Sequence, residues 1–286
     1  MTYCLSVLSE IDAMVRRSHR ILIASDFDGT LCPIAETPSE VKLTSGMLAL
    51  IHTTIDCPRL KLAVISGRAL DDIAKRLPSG LILAGNHGLE ICGGGIDFEH
   101  LEARQLRPLI ADACERLRAV LPAWPAAWIE DKGLSATLHV RRVDQRHQNP
   151  LLFTARQALR GIGGKIALRL GRCALEIRPK VSWDKGAALS YIHQKAGPFD
   201  CCICLGDDRS DESMFLAECS RLSIRVELTG ATSATHYLSD PGDVAIFLSH
   251  IIAVCNAEGS STPEKLAEPP RAIAIRDPLL ASDARA

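Results

Sequence analysis

The chain has 286 residues, of which 47% are hydrophobic and 23% charged, and its formal net charge is −1. These values are ordinary for a globular protein with a full hydrophobic core, and the near-zero charge argues against nucleic acid as a partner. No apolar stretch approaches the roughly 20 residues that a membrane span needs, and charged residues interrupt positions 1–20, which argues against a signal peptide. We therefore expect a soluble cytoplasmic protein that has no membrane partner.

The chain contains eleven cysteines, an odd number, and most of them lie scattered in apolar segments. Such cysteines behave as small buried hydrophobic residues in a reducing compartment, which agrees with a cytoplasmic protein. Cys201 and Cys204 have C-x-x-C spacing, but both lie in a predicted strand, whose alternation points them to opposite faces. A zinc or redox role for these two residues is therefore not expected. The sequence leaves open a redox role for Cys32.

Residues 1–104 alternate between predicted helices and strands. Residues 1–20 predict a helix through Ile11, Met14 and Val15, which packs either on the core or on a partner. A short continuous apolar run from residue 21 predicts a buried parallel strand. The later predicted elements are strands at 60–65 and 81–84, a helix at 69–77 and a hairpin through Gly93-Gly94-Gly95.

In residues 105–180 the order of predicted elements changes, and this change predicts an inserted lid domain. Helices are predicted near 104–121 and 147–160, and each precedes a pair of strands. The order α-β-β-α-β-β predicts a small sheet with one face packed on its helices. The predicted strand pairs are 126–130 with 134–141, joined by Asp131-Lys132-Gly133, and 165–170 with 173–178, joined by Gly171-Arg172.

Alternating helices and strands resume from about residue 183. Residues 260–286 are rich in proline, alanine and charged residues and predict a disordered tail. The predicted domains are a core of 1–104 and 181–259, a cap of 105–180 and the tail. The predicted elements are a helix at 184–195, a strand at 200–205, a helix at 211–219 and a strand at 222–227.

Two acids, Asp26 and Asp28, directly follow the first apolar run and precede Gly29. Open α/β sheets bind ligands at the carboxyl ends of their strands, so both acids are expected in such a crevice. Two acids this close repel unless a cation lies between them, and Mg²⁺ is the simplest occupant because it takes oxygen ligands and a substrate phosphate. One acid could then attack phosphorus while the other transfers a proton. An Asx turn is the alternative for this motif alone.

Three further motifs supply the remaining groups of a phosphate site. A hydroxyl and its neighbouring amides, in Ser66-Gly67-Arg68, follow the strand at 60–65. Lys185 begins a helix and offers a cation, although it could instead interact only with Asp184. Further acids follow the strand at 200–205, in the run Gly206-Asp207-Asp208-Arg209-Ser210-Asp211-Glu212.

In combination, these four motifs resemble those of the haloacid dehalogenase (HAD) superfamily of phosphohydrolases, over residues 21–248. The resemblance implies an α/β fold, with a HAD-like Rossmannoid parallel-sheet core and an inserted α/β cap of the C2B type. More particular segments resemble the trehalose-6-phosphate phosphatase family. They are Gly85-Asn86-His87-Gly88, Ile129-Glu130-Asp131-Lys132-Gly133-Leu134-Ser135 and Leu175-Glu176-Ile177-Arg178-Pro179.

This resemblance implies a phosphoric monoester hydrolase with Mg²⁺ as its cofactor. The implied reaction is hydrolysis of trehalose 6-phosphate to trehalose and phosphate through an aspartyl-phosphate, the final step of trehalose biosynthesis. Asp26 is then the nucleophile, Asp28 the acid and base, and Lys185 the third catalytic residue. Thr30, Ser66 and Gly67 are expected at the phosphate. The expected metal ligands and their supports are Asp26, Asp28 through its backbone carbonyl, Asp207, Asp208 and Asp211.

The predicted cap strands alternate between apolar and polar residues. Along 134–141, one side reads Leu134, Ala136, Leu138 and Val140, and the other reads Ser135, Thr137, His139 and Arg141. The polar face is either a solvated sheet face or a sugar-binding surface that closes over the core. The resemblance favours the second and implies sugar contacts by Glu130, Lys132 and Glu176. Weaker candidates are Arg141 and Arg178, and Arg178 could simply pair with an acid. Arg68 and His87 are expected at the mouth of the site, although His87 could instead be a histidine of the core or one that bonds a loop.

Other functions remain open at this stage. A phosphatase for another glycosyl phosphate, such as glucosylglycerol phosphate, would keep the core and change the cap. A sugar-phosphate sensor would need no acid and base, and Asp28 beside Asp26 argues against it. A phosphoryl-transferring mutase would use the same core with another acceptor. The expected partners are a small sugar phosphate and, functionally, a trehalose-phosphate synthase.

Overall fold

The computed structural model describes residues 1–259 except 163 and 172. The predicted tail at 260–286 and part of the predicted turn at 171–172 lie outside the described residues. The strands are β1 (Thr2–Tyr3), β2 (Ile21–Ser25), β3 (Leu60–Ile65), β4 (Ile82–Gly85), β5 (Glu90–Gly93), β6 (Ile96–Glu99), β7 (Trp128–Asp131), β8 (Ala136–His139), β9 (Ile166–Gly171), β10 (Ala174–Pro179), β11 (Cys201–Gly206), β12 (Leu222–Val226) and β13 (His236–Leu238).

Helices connect most of these strands. In the described part of the chain, none of them is both long and apolar enough to cross a membrane. The α-helices are α1 (Leu8–Arg17), α2 (Ser45–Asp56), α3 (Leu70–Ala74), α4 (Leu101–Gln105), α5 (Arg107–Val120), α6 (Gln145–Ala158), α7 (Lys185–Ala196), α8 (Glu212–Phe215) and α9 (Pro241–Gly259).

The larger sheet forms the core, with the strand order β1-β13-β12-β11-β2-β3-β4-β5-β6. Across the sheet in this order, neighbouring strands are parallel as far as β4, and the β5–β6 hairpin then adds two antiparallel strands at the edge. All five residues of β2 are buried, as expected for a strand covered on both faces. The predicted α/β fold with a largely parallel core is confirmed.

Helices cover both faces of this sheet, and side chains of β2 alternate between the two apolar layers. Ile21 and Ile23 pack in one cluster with residues of α1, α2 and α9. Leu22 and Ala24 pack in the other cluster with residues of α7. Because α1 contributes to the first cluster, the predicted N-terminal helix packs on the core. Cys201 and Cys204 lie in different clusters, which confirms that they point to opposite faces.

The smaller sheet is antiparallel, with the strand order β7-β8-β10-β9, and is inserted between β6 and β11. Its apolar face packs on α5 and α6 in a cluster of its own, through residues such as Leu138, Leu175, Ile110 and Leu151. The other face carries the polar residues of the alternation. This arrangement supports the predicted lid, whose limits at residues 105 and 180 stay predictions.

The structure also differs from the predicted elements in places. The helix predicted at 69–77 ends at Ala74, and the one predicted at 211–219 is a 3₁₀ turn, Arg209–Asp211, followed by the four-residue α8. The helix predicted near 104–121 is two helices that meet at Leu106, because Pro108 favours a new helix start. The sequence reading missed β1, β13 and α9; β1 and β13 have only two and three residues, too few for a periodic signal.

Candidate active site

Three adjacent strands of the core sheet end at one edge and carry the predicted catalytic residues. The neighbours β11, β2 and β3 run parallel, and their carboxyl ends lead into Asp207, Asp26 and Ser66. The backbone N–H of Asp26 donates to the carbonyl oxygen of Leu205 at 3.0 Å, which fixes the start of its loop against β11. The acids therefore lie in the crevice where an open α/β sheet binds its ligand.

A buried lysine joins two of the acids at this edge. Lys185 is the first residue of α7 and is 1% exposed. Its Nζ lies 2.9 Å from Asp26 Oδ2 and 2.6 Å from Asp211 Oδ1. The Asp184 side chain instead caps α7 by accepting from the backbone N–H of Ala187. The cation thus contacts the acid cluster, as the sequence motif predicted, and not its neighbour in the chain.

Acidic side chains outnumber cationic ones in this cluster, and the pKa values of Asp26 and Asp207 are raised. Burial raises the pKa of Asp26 well above its usual value, and the neighbouring acids raise it further against the effect of Lys185. Burial and the charge of Asp211 raise the pKa of Asp207 to about 7. Burial lowers the pKa of Lys185, but the two acids raise it more, so the lysine stays protonated. The cluster carries negative charge that a bound cation would neutralise.

Asp26, Asp207 and Asp211 each offer a carboxylate oxygen within 4.8 Å of the others. Three carboxylates suit a hard divalent cation, which prefers oxygen ligands. Gly29 lies against this group with a φ of +80°, and a Cβ there would lie 2.2 Å from Asp207 Oδ2. Glycine at this position therefore leaves the space that the Asp207 carboxylate fills. The residues present fit a metal ion of this class.

Arg68 holds the second acid of the first motif. It is 4% exposed, and its Nε and Nη2 donate to the two carboxylate oxygens of Asp28 at 2.7 Å each. Its Nη1 donates to Asp72 at 2.7 Å, and Asp72 in turn accepts from Arg76. The two-point contact fixes the plane of the Asp28 carboxylate. Arg68 lines the cavity as predicted, and its contact with Asp28 is a feature that the sequence did not reveal.

Ser66 and Gly67 line the cavity at the end of β3. The Ser66 hydroxyl oxygen accepts from the backbone N–H of Arg68 at 3.2 Å. The ring of His87 lies over Gly67, where an added Cβ would lie only 2.6 Å from it. Burial and four nearby cationic side chains lower the pKa of His87 well below its usual value, so the ring is neutral. His87 faces the cavity, as predicted for the mouth of the site.

Two further predicted residues contact the acid cluster from outside its centre. Thr30 is fully buried, and its hydroxyl donates to Asp207 Oδ1 at 3.4 Å. Asp208 caps the turn Arg209–Asp211, and its N–H donates to Asp211 Oδ2 at 2.9 Å. Thr30 therefore orients a carboxylate, and Asp208 holds the loop that carries Asp211. Their predicted places at the phosphate and the metal stay predictions.

A cavity of about 530 Å³ separates the acid cluster from the polar face of the cap. Acids and cations from both domains line it, so it offers both a charged end and hydrogen-bonding groups for hydroxyls. The polar side of the alternation along 134–141 therefore faces this cavity, as predicted for a surface that closes over the core. Its lining from the cap includes Glu130, Lys132, Thr137, His139, Arg141 and Glu176.

Glu130 and Lys132 form part of one connected network. Lys132 Nζ donates to the Gly67 carbonyl oxygen at 3.0 Å and lies 3.7 Å from Glu130 Oε2. The same Glu130 oxygen is 2.8 Å from His139 Nε2, and the His139 ring stacks on Trp128 with centroids 4.6 Å apart. Burial raises the pKa of Glu130, but the bond with His139 and the charge of Lys132 lower it overall. Glu130 therefore presents a carboxylate to the cavity.

Glu176 and Arg178 form an ion pair on β10. This contact is the alternative that the sequence left open for Arg178. Arg141 is exposed and lines the cavity from the end of β8. The sugar-binding roles of all three residues stay predictions.

The sequence reading missed two features of the site. His139, which bonds Glu130, was predicted on the polar face but not as a site residue. Asn86 is fully buried and links the domains: its Nδ2 donates to the Lys132 carbonyl oxygen at 3.1 Å, and its Oδ1 accepts from the Ser135 hydroxyl at 2.5 Å. Only the family resemblance of the two segments that contain Asn86 and Ser135 could have drawn attention to this contact between the domains.

The parallel core, the acids at the end of its central strand and the inserted cap define a HAD-like phosphatase. Solved structures with this fold include a haloacid dehalogenase-like hydrolase from Bacteroides thetaiotaomicron, with a TM-score of 0.57 and 16% identity, covering 81% of this chain and 99% of that one. Residues 24–236 match the family model described as trehalose-phosphatase. The chain belongs to the trehalose-phosphatase family, and it is a phosphoric monoester hydrolase.

Individual relatives agree with this family. Probable trehalose-phosphate phosphatase 4 of Oryza sativa is 30% identical over 271 residues, which cover 90% of this chain and 73% of that protein. The C-terminal domain of trehalose-6-phosphate phosphatase from Candida albicans has a similar fold, with a TM-score of 0.75 and 21% identity. That alignment covers 86% of this chain and 97% of the other.

Proposed function

We propose that this protein hydrolyses trehalose 6-phosphate to trehalose and phosphate, with Mg²⁺ as its cofactor and Asp26 as its nucleophile. Membership of the trehalose-phosphatase family supports the substrate. The observation that carries the mechanism is the contact of buried Lys185 with Asp26 beside the other acids. The proposal also places the enzyme in the cytoplasm, downstream of a trehalose-phosphate synthase that supplies its substrate.

The proposed chemistry begins at Asp26. Its carboxylate oxygen attacks phosphorus, and the bond from phosphorus to the sugar oxygen breaks to leave an aspartyl-phosphate. Asp28 donates the proton that the departing sugar oxygen needs. Asp28 then takes a proton from water as that water attacks phosphorus, which frees Asp26 and releases phosphate.

The surrounding residues neutralise and orient the phosphoryl group. Lys185 supplies a permanent positive charge, and Ser66 with its neighbouring amides offers hydrogen bonds to phosphate oxygens. Arg68 orients the Asp28 carboxylate through the two-point contact. Asp26, Asp207 and Asp211 would hold Mg²⁺, which would neutralise developing negative charge on the phosphoryl oxygens.

The cap supplies the proposed sugar contacts. Glu130 and Glu176 offer carboxylates, and Lys132 offers an ammonium group, on the side of the cavity opposite the acid cluster. Carboxylate and ammonium groups form strong hydrogen bonds with sugar hydroxyls because one partner is charged. A monosaccharide phosphate would reach the acid cluster but make fewer of these contacts.

The direct test is phosphate release with Mg²⁺ from trehalose 6-phosphate, sucrose 6-phosphate, glucose 6-phosphate and glucosylglycerol phosphate. We expect the highest kcat/KM for trehalose 6-phosphate. A higher value for another substrate would reject the proposed substrate and leave the mechanism in place. No release from any of them would reject the proposed hydrolysis and favour a sensor or a mutase.

Removal of divalent cations is expected to abolish this activity. A chelator should lower phosphate release by roughly 100-fold or more, because the three carboxylates are then left without the cation that offsets their charge. Readdition of Mg²⁺ should restore the activity, whereas Ca²⁺ should restore much less because it prefers longer bonds and more ligands. Full activity in the chelated protein would contradict the proposed cofactor.

Substitution of Lys132 should separate sugar recognition from phosphate chemistry. Lys132→Met is expected to raise KM for trehalose 6-phosphate by about tenfold or more, since it removes a charged hydrogen-bond donor. Hydrolysis of p-nitrophenyl phosphate, which has no sugar, should fall by a smaller factor, which reports only the lost contact of Lys132 with the Gly67 carbonyl oxygen. The matched control is Lys180→Met, which alters an exposed lysine of the cap. Equal losses with both substrates would contradict a sugar-specific role.

A further inference from the structure

The turn between β7 and β8 of the cap, residues 131–135, is docked on the core. Leu134 is fully buried and packs with Leu89 of the core. Its neighbour Ser135 is also buried. Lys132, in the same turn, lines the cavity. One part of the β7–β8 turn is therefore fixed on the core, while another part faces the proposed sugar site.

A buried amide holds this turn at two points. Asn86 follows β4, and its Oδ1 accepts from the Ser135 hydroxyl at 2.5 Å. Its Nδ2 donates to the Lys132 carbonyl oxygen at 3.1 Å and to Glu90 Oε2 at 2.7 Å. Both partners of Nδ2 are acceptors, which fixes the orientation of the amide. Removal of this side chain would therefore remove both hydrogen bonds between the amide and the cap.

The backbone around Asn86 is bonded to residues 66–68, which we call the phosphate segment. The Asn86 N–H donates to the Arg68 carbonyl oxygen at 2.6 Å, and the His87 N–H donates to the Ser66 carbonyl oxygen at 2.8 Å. Asn86 has a φ of +51°, which asparagine adopts more readily than most residues. Its backbone thus contacts the phosphate segment while its side chain contacts the cap. Asn86 therefore sets the spacing between the two parts of the site.

We propose that Asn86 is a positioning residue that determines substrate specificity, because it docks the β7–β8 turn where Lys132 can reach the sugar. In the described part of the chain, Lys132 is among the residues that line the cavity and Asn86 is not, so Asn86 acts through the lysine. A lysine side chain is flexible, and a backbone shift of about 1 Å would misplace its ammonium group. The inference rests on the proposed function, in which Lys132 contacts the sugar.

The test is a double-mutant cycle of Asn86→Gly with Lys132→Met. Glycine tolerates the left-handed backbone at this position. Asn86→Gly alone should raise KM for trehalose 6-phosphate by about fivefold or more and KM for p-nitrophenyl phosphate by a smaller factor. In the Lys132→Met background it should raise KM by less than about twofold, since the lysine that it positions is gone. Equal changes with both substrates, or an undiminished effect in that background, would overturn the proposal.

Ser135→Ala is a smaller change, for use in case Asn86→Gly prevents folding. It removes one of the two hydrogen bonds to the turn and should raise KM for trehalose 6-phosphate by roughly threefold. The control is Ser79→Ala, which alters an exposed serine and should keep the wild-type KM. A role limited to folding would instead lower kcat equally with both substrates and leave KM unchanged, which would overturn the proposal.

Amide hydrogen exchange of the whole protein tests the docking without reference to activity. In the docked turn, the Lys132 N–H donates to the Ser135 carbonyl oxygen, and the Leu134 N–H donates to the Lys132 carbonyl oxygen. In Asn86→Gly, residues 131–135 should exchange roughly tenfold faster than in the wild type, whereas β2 should be unchanged. Unchanged exchange in the turn would overturn the proposal for any substrate.

Failure of the proposed function would be recognised in the wild-type protein. If it prefers another sugar phosphate, the proposed substrate is wrong, and the same cycle with the preferred substrate decides the role of Asn86. If it releases no phosphate from any substrate, the proposed function fails, and the specificity role of Asn86 fails with it.

Discussion

Replacement of Asp26 with asparagine should lower phosphate release from trehalose 6-phosphate by about four orders of magnitude or more, since it removes the attacking oxygen. The amide keeps the size of the side chain, and Lys185 keeps its contact with Asp211. The loss should therefore appear in kcat without a comparable loss of folded protein. Initial rates and thermal unfolding of the same preparation measure both.

The matched control for this variant is Asp97→Asn, which alters an exposed acid of β6. It should retain the wild-type rate because Asp97 lies on the hairpin and not in the cavity lining. Asp26→Asn activity within tenfold of the wild type would exclude Asp26 as the nucleophile. It would favour direct attack by water on the phosphate.

Replacement of Lys185 with methionine should lower the free energy of unfolding by about 3–5 kcal/mol, the usual cost of removing one partner from a buried ion pair. Lys185 is 1% exposed and contacts two carboxylates. Without it, both acids are buried among other acids with no cation. Phosphate release should also be lost, because the cation beside the nucleophile is gone.

Urea denaturation without divalent cations measures this change in stability. Lys75→Met serves as the control, since Lys75 is an exposed lysine at the end of α3. It should change stability by less than about 0.5 kcal/mol, as is usual for surface positions. A loss below about 1 kcal/mol for Lys185→Met, typical of an exposed pair, would contradict a buried structural and catalytic role.

Much of the catalytic edge could be predicted because it follows from local patterns. A buried apolar run that ends in acids fixes where Asp26 and Asp207 lie, since parallel strands end at one edge of the sheet. The alternation along 134–141 likewise fixes which cap residues face the cavity. The resemblance supplied the remaining assignments, such as Glu176, which strand alternation alone leaves open to a solvated face.

Contacts between segments distant in the chain could not be predicted in this way. The contact of Arg68 with Asp28, and the bond of Asn86 to Ser135, depend on how loops and domains pack. The contact of Thr30 with Asp207 could not be predicted for the same reason, because it joins two loops that follow different strands. The edge strand β13 was missed because three residues carry no periodic signal.

The most direct test of the proposed mechanism uses trehalose 6-phosphate labelled in its phosphoryl group. The reaction is quenched with acid within the first turnover, and the labelled peptide is mapped. We predict a phosphoryl group on Asp26, with trehalose released no later than phosphate. Label on another residue, or full-rate phosphate release while Asp26 stays unlabelled at every quench time, would contradict an aspartyl-phosphate at this position.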